Sequence, residues 1–196
     1  MTTTRSELFR KHASMDVPSW APRTQAIARL IPPGVSVVDV GAGSGYLGRV
    51  LGDKIKSYFP ADVVGRENMT RWNVAGEPCP KPLAGHDVVV CVGVLEYLEQ
   101  PSRALVNMRP CGRVMIVTYN LKELRDAGVG GKMWRSNWSL PEMRSALTSA
   151  GWCPVYSERP DKRQIIVRAL RRPLPEESPS LSSFHRQSGA GPEHTP

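Results

Sequence analysis

The stretch VSVVDVGAGSGYLGRVL, residues 35–51, runs from an apolar segment straight into four glycines. Its first part, VSVVDV, reads as a strand buried on both faces. YLGRVLGDK, from Tyr46, reads as a short helix. Between them lie two overlapping frames. Gly41-Ala42-Gly43-Ser44-Gly45 spells G-x-G-x-G, and Gly43 to Gly48 spells G-x-G-x-x-G. Glycine permits a left-handed turn and a close backbone approach that a side chain would block. The helix that follows turns its first N–H groups toward any anionic part of a ligand. Either frame therefore describes a strand turning tightly into a helix to hold a nucleotide-like molecule.

The surrounding acids narrow the ligand. Asp39 stands two residues before Gly41. A dinucleotide would bring its doubly anionic pyrophosphate here, and a carboxylate would repel it. A ligand carrying an ammonium and a sulfonium would be attracted instead. S-adenosylmethionine is such a ligand, and its one carboxylate can take the helix start. The plainer alternative is that Asp39 hydrogen-bonds the turn. Asp62 lies 21 residues after Gly41, at the end of a second apolar segment. An acid there accepts hydrogen bonds from both ribose hydroxyls in NAD and S-adenosylmethionine sites alike, or is an ordinary strand-end residue. Dehydrogenase chemistry lacks its Tyr-x-x-x-Lys pair, because Tyr119 to Lys122 is one residue too short. No G-x-x-x-x-G-K-[ST] phosphate loop occurs.

The rest of the chain alternates strand and helix patterns. IKSYFPADVV holds the second strand, NMTRWNV a short third, HDVVVCVGV a fourth and GRVMIVTYN a fifth. PRTQAIARLI, QPSRALVNMR and SLPEMRSALTSAG read as helices. The last has Ser139 as N-cap, Glu142 three residues on, and Gly151 as its stop. WCPVYSERPDKRQIIVRALRR reads as two strands around a Pro160-Asp161 turn. This alternation predicts an α/β fold: a doubly wound, Rossmann-like, mostly parallel seven-stranded sheet with an antiparallel C-terminal hairpin. Residues 1–31 read as an N-terminal helical cap segment, with SELFRKHA as its first helix. Residues 32–172 form the ligand-binding domain. Residues 173–196, with five prolines and few apolar side chains, read as a disordered tail.

Composition bounds the partners. Forty per cent hydrophobic and 22% charged residues describe an ordinary globule. No segment approaches membrane-span length, and the N-terminus lacks the apolar core of a secretory signal, so a cytoplasmic protein is expected. Cys79, Cys91, Cys111 and Cys153 form no CxxC pair and read as reduced thiols, not as metal ligands. The net charge of +8 would suit nucleic acid, yet the basic residues are scattered and not interleaved with aromatics.

Taken in order, VVDVGAGSGYLG, Asp62, HDVVVCVGVLEYLEQPSRAL, GRVMIVTYN and WSLPEMRSALTSAGW resemble the successive motifs of class I, seven-stranded S-adenosylmethionine-dependent methyltransferases. The small bacterial type-11, type-12 and methionine-biosynthesis-W-like groups are the nearest in pattern, over roughly residues 24–170. The resemblance implies that backbone around Gly41, Ala42, Gly43 and Gly45 contacts the methionine part, and that Asp62 holds the ribose. It implies that Asn73 and Val74 face the adenine, and that Cys91, Val92 and Gly93 line the cofactor. Asn73 replaces a commoner Asp, and an amide still bonds adenine. Tyr97 stands where many relatives carry His, and either orients a substrate or packs.

No residue announces itself as a catalytic base. His86 precedes the fourth strand, at the end remote from the ligand, and reads as structural. His12 in the cap segment is a candidate. Pro78-Cys79 and Pro110-Cys111 resemble the nucleophile dipeptide of cytosine-C5 methyltransferases, but neither lies at the end of the fourth strand. Trp134, Arg135, Asn137 and Trp138, in GKMWRSNWS after the fifth strand, would suit a flat or anionic acceptor, or plug the sheet edge. The expected function is methyl transfer from S-adenosylmethionine to a small molecule or glycan. An RNA methyltransferase using the basic surface and a non-catalytic cofactor-binding subunit are the alternatives.

Overall fold

A computed structural model describes residues 20–124, 134–160, 162 and 164–173. The SELFRKHA helix, His12, Asp161 at the hairpin turn and nearly all of the C-terminal tail lie outside the described residues. Four α-helices are described: α1 (Ala21–Leu30), α2 (Tyr46–Leu51), α3 (Pro101–Asn107) and α4 (Leu140–Ser149). The strands are β1 (Ser36–Val40), β2 (Ser57–Asp62), β3 (Thr70–Arg71), β4 (His86–Cys91), β5 (Gly112–Asn120), β6 (Trp152–Glu158) and β7 (Gln164–Arg171). All seven join one sheet in the order β3-β2-β1-β4-β5-β7-β6.

The central strands are mostly apolar because helices cover both faces of the sheet. Alternate residues divide between two cores. Val38 and Val40 of β1, Val89 and Cys91 of β4, and Met115 and Val117 of β5 face α3 and α4, where Leu105, Met108, Met143 and Leu147 are fully buried. Val37, Val88, Val90 and Ile116 face α1 and α2, against Ile27, Ile31, Leu47 and Leu51. Period-two alternation sends Asp39 to this second face with Val37. A carboxylate thus enters a layer that is otherwise aliphatic.

β1, β2, β3, β4 and β5 pair in parallel. β7 runs antiparallel to β5 over seven paired positions, from Val114 with Leu170 to Asn120 with Gln164. β6 then pairs antiparallel with β7, so β6 again points the same way as β5. Only the second arm of the hairpin opposes the sheet, and it is an inner strand. α4 starts with the expected capping box: Ser139 Oγ accepts from the Glu142 amide, and the Glu142 carboxylate accepts from the Ser139 amide. α2 is six residues long, shorter than its sequence segment, because Gly52 takes a positive φ of 47° and turns the chain out of the helix.

Candidate functional site

Strand order reverses between β1 and β4, since the chain steps outward from β1 to β2 and then returns to lay β4 on its other side. At such a point the connections diverge and leave a crevice beyond the carboxyl ends of the strands. A cavity of about 1180 Å³ lies there. It is lined by Asp39 and the Gly41–Ser44 loop after β1, by Asp62 after β2, by Asn73 and Val74 after β3, and by Val92 and Gly93 after β4. Nine of the eleven residues expected at a cofactor, Ala42 among them, thus line this cavity; Gly45 and Cys91 do not. Gly45 instead shapes the turn, at φ 73°, with its amide on the Ala42 carbonyl at 2.8 Å. Cys91 is fully buried and backs the wall from the α3/α4 core.

The loop is braced from beneath. The amides of Gly41 and Ala42 both donate to the Ala61 carbonyl, at 2.7 and 3.1 Å. The Gly43 amide donates to Asp62 Oδ2 at 3.1 Å, and Val64 donates to Asp62 Oδ1 at 3.0 Å. Asp62 therefore ties the glycine loop to the end of β2. Each of its oxygens has a second lone pair for another donor. Gly41 itself has φ 77°, and a Cβ there would run into the Val94 side chain. Only glycine fits.

Asp39 is 3% exposed, and its Oδ2 accepts from the Tyr58 hydroxyl at 2.6 Å. Burial pushes its carboxyl up to about 6, with the nearby Asp62 charge adding to the rise and the Tyr58 hydrogen bond opposing it. Burial and the same carboxylate push the Tyr58 phenol up as well. Two acids thus share one wall of the cavity. A cation would relieve both, and a pyrophosphate would add to the repulsion. The plainer reading of Asp39, a turn-bonding residue, does not match its partner, which is a tyrosine from β2.

The opposite side of the cavity is built by residues that sequence spacing does not connect. Arg23 on α1 donates to Gln164 Oε1 at the start of β7, at 3.3 Å and 141 residues away. Its guanidinium also lies 5.4 Å from the centre of the Trp20 ring. Asn120 at the end of β5, Tyr97 and Trp134 complete this side. Asn120 is fixed from behind. Glu96, fully buried, accepts at Oε1 from both the Asn120 amide at 2.8 Å and its Nδ2 at 2.7 Å. Burial holds the Glu96 carboxyl above its ordinary range.

Of the four residues after β5 that were expected to meet an acceptor, Trp134 lines the cavity and the other three do not. Arg135 is exposed, with its amide on the Glu96 carbonyl at 2.7 Å. Asn137 is exposed too. Trp138 stacks on Tyr119 at 5.3 Å and donates its amide to the Tyr119 hydroxyl at 3.0 Å, so it packs the sheet end. His86 donates from Nε2 to the Pro82 carbonyl, 3.0 Å away, and lies against Phe59 at 4.1 Å. It sits at the amino end of β4, remote from the cavity, as its position in the sequence implied.

No protein-family model and no curated protein matches the chain. Solved structures do match its fold. The N-methyltransferase NodS of Bradyrhizobium japonicum, solved with S-adenosylhomocysteine, superposes with a TM-score of 0.64 at 14% identity, over 84% of this chain and 97% of that one. The 1,6-didemethyltoxoflavin-N1-methyltransferase of Burkholderia thailandensis, solved with its substrate and S-adenosylhomocysteine, gives 0.62 at 16% identity, over 80% of each chain. The [4+2]-cyclase SpnF gives 0.63 at 14% identity, over 82% of this chain and 84% of that one. The strand order, the crevice at its reversal and these superpositions agree: the chain has the seven-stranded, Rossmann-like fold of class I S-adenosylmethionine-dependent methyltransferases.

Proposed function

We propose that the chain binds S-adenosylmethionine and transfers its methyl group to a small molecule or glycan. The observation that carries this reading is the acid pair, Asp39 and Asp62, beside a glycine loop in which a side chain at Gly41 would collide with Val94. Asp39 would face the ligand's ammonium and Asp62 its ribose hydroxyls. The Gly41–Gly43 backbone would pass the methionine part, and Asn73, Val74, Val92 and Gly93 would flank the adenosine. The bound cofactor supplies a methyl already activated by its sulfonium. The protein's part is to set an acceptor in line with it, which is worth up to about 7–11 kcal/mol. Trp20, Tyr97 and Trp134 offer flat apolar surface for that acceptor, and Arg23 offers one positive charge. Among the described residues the cavity is lined by two arginines, Arg23 and Arg71, and two such cations among aromatics suit a compact planar or anionic molecule better than a nucleic-acid backbone, which asks for a stripe of cations.

S-adenosylhomocysteine is expected to raise the melting temperature, and NAD is expected to leave it unchanged. At one hundred times the dissociation constant the gain is about 2.7 kcal/mol. Stabilisation by NAD alone would refute the reading. Transfer itself is tested by screening acceptors with methyl-labelled cofactor, against an RNA pool in low and high salt. Label appearing only in RNA, with salt-sensitive retention, would favour the nucleic-acid alternative.

Asp62→Ala is expected to weaken S-adenosylhomocysteine binding ten- to hundredfold, as calorimetric titration would measure. Hydrogen bonds to a charged group are worth roughly 1.5–3 kcal/mol. The loop also loses its brace at Gly43. Asp62→Asn should lose less, because an amide keeps one acceptor. Unchanged binding by a folded Asp62→Ala variant would remove Asp62 from the ligand site.

A further inference from the structure

Two cysteines that the cleft does not use stand side by side. Cys79, between β3 and β4, and Cys111, immediately before β5, place their sulfurs 3.1 Å apart. Both belong to the Pro-Cys dipeptides of the sequence, and Cys79 is also followed by Pro80. Cys111 is fully buried, whereas Cys79 is half-buried and reachable from solvent. A disulfide needs its sulfurs at about 2.05 Å, so closing the gap requires each thiol to move by only about half an ångström. From this juxtaposition we infer that Cys79 is an oxidative modification site whose substrate is a peroxide, and that Cys111 is its resolving thiol.

The two thiols are unequal in the sense this chemistry needs. The hydrogen bond with Cys111 holds the Cys79 thiol below its ordinary range, against the opposing effect of burial, and Cys79 Sγ also lies 3.5 Å from the Pro80 carbonyl. The same hydrogen bond, with burial, pushes the Cys111 thiol up. The thiolate is the attacking form, so Cys79 reacts first. Its sulfur attacks one peroxide oxygen and the O–O bond breaks. Cys79 becomes a sulfenic acid, and the departing hydroxide takes a proton from solvent to leave as water. Cys111 sulfur then attacks Cys79 sulfur. Its proton goes to the hydroxyl that leaves, giving a second water and the disulfide. Two thiols give up two electrons and two protons, and one hydrogen peroxide is reduced to two waters.

The other cysteines lack this arrangement. Cys91 is fully buried, and burial pushes its thiol well up. Cys153 stands on β6, across from Leu170 of β7. The bond would join the segment that follows Asn73 and Val74 to the start of β5. Asn107 of α3 already donates to the Val74 carbonyl there at 2.8 Å, so the link reinforces a contact that exists in the reduced protein.

The test is peroxide titration of the full chain beside glutathione in the same tube. Wild type should fall from four free thiols to two before glutathione is half oxidised, with a mass loss of two hydrogens and a cross-linked Cys79–Cys111 peptide after digestion. Dithiothreitol should restore all four. Oxidised protein should melt roughly 5–10 °C higher, from typical disulfide stabilisation at this chain length. Cys111→Ser should instead accumulate a dimedone-trapped sulfenic acid at Cys79, and Cys79→Ser should keep its three thiols. The inference is overturned if wild type retains four thiols when glutathione is half oxidised, or if the cross-linked peptide joins any other pair. Peptide mapping of the wild type decides the matter even where a variant fails to fold.

Discussion

Asp39→Asn should make the ligand-free protein more stable at pH 7 and make it bind S-adenosylhomocysteine about a hundredfold more weakly. Both effects come from one buried charge. In the unfolded chain this carboxyl titrates at its ordinary 3.8, and in the folded protein at about 6. A raised value means the folded state holds the proton more tightly. The resulting stabilisation is complete below pH 3.8 and is lost as pH rises through 6. At pH 7 the folded protein therefore carries an unfavourable charge of the order of 3 kcal/mol. Asparagine removes that charge and can still accept from the Tyr58 hydroxyl. The expected gain is about 5–10 °C in melting temperature for a chain of this size. The difference between variant and wild type should shrink as pH falls from 7 toward 4. Loss of the carboxylate also removes the ammonium's partner, and a hundredfold weakening corresponds to about 2.7 kcal/mol. A variant that melts at or below the wild-type temperature at pH 7 would contradict the burial argument. One that keeps full affinity would free Asp39 from the ligand.

Gly41→Ala should destabilise the protein by about 2–5 kcal/mol and abolish measurable cofactor binding. The left-handed conformation costs an L-residue about 1–2 kcal/mol, and forcing a methyl into packed surroundings adds about 1–3. The new Cβ meets the Val94 side chain, so either Val94 or the loop must give way. The loop is held by two amides on Ala61, and Val94 leads into the turn that carries Glu96. Movement of either one narrows the space where the methionine part is proposed to pass. Thermal denaturation and calorimetric titration read the two effects separately. Normal binding by this variant would show that the loop does not approach the ligand closely.

The fold was legible where burial leaves a strong one-dimensional signal. β1, β4 and β5 are apolar on both faces, and their continuous Val and Ile runs could not be mistaken for half-exposed strands. α4 announced itself through Ser139, Glu142 and Gly151. α2 was read too long because Asp53 and Lys54 are compatible with a helix in sequence, whereas the positive φ of Gly52 ends the α-helix at Leu51 and leaves Gly52–Lys54 as a 3-10 turn. The wall of the cleft that carries the glycine loop was legible because the loop and Asp39 are contiguous, and Asp62 follows after a single helix and strand. The rest of the lining was not, because the sheet assembles it. Arg23, Asn120 and Gln164 come from three distant elements and meet only through the strand order. Trp138 takes the packing alternative for a local reason. It shares a segment with Trp134, but its ring lies on Tyr119 while Trp134 lines the cleft. Glu96 passed unnoticed because an acid beside apolar residues gives no hint that its partner lies on β5.

The position of β7 sets a timetable for the molecule's birth. β6 leaves the ribosome first, yet it has no place on the sheet until β7 has settled against β5 and opened an edge for it. Residues 152–158 must therefore wait, or pair wrongly with the exposed edge of β5, while residues 164–171 are still being made. Pairing late and far from its neighbours in sequence is slow, and open strand edges invite association with other chains. The two arms of the hairpin resolve this if they close on each other first and dock as a unit. The hairpin turn is then a control point for folding yield. Substitutions that slow its closure should lower the recovery of native protein far more than they lower its final stability.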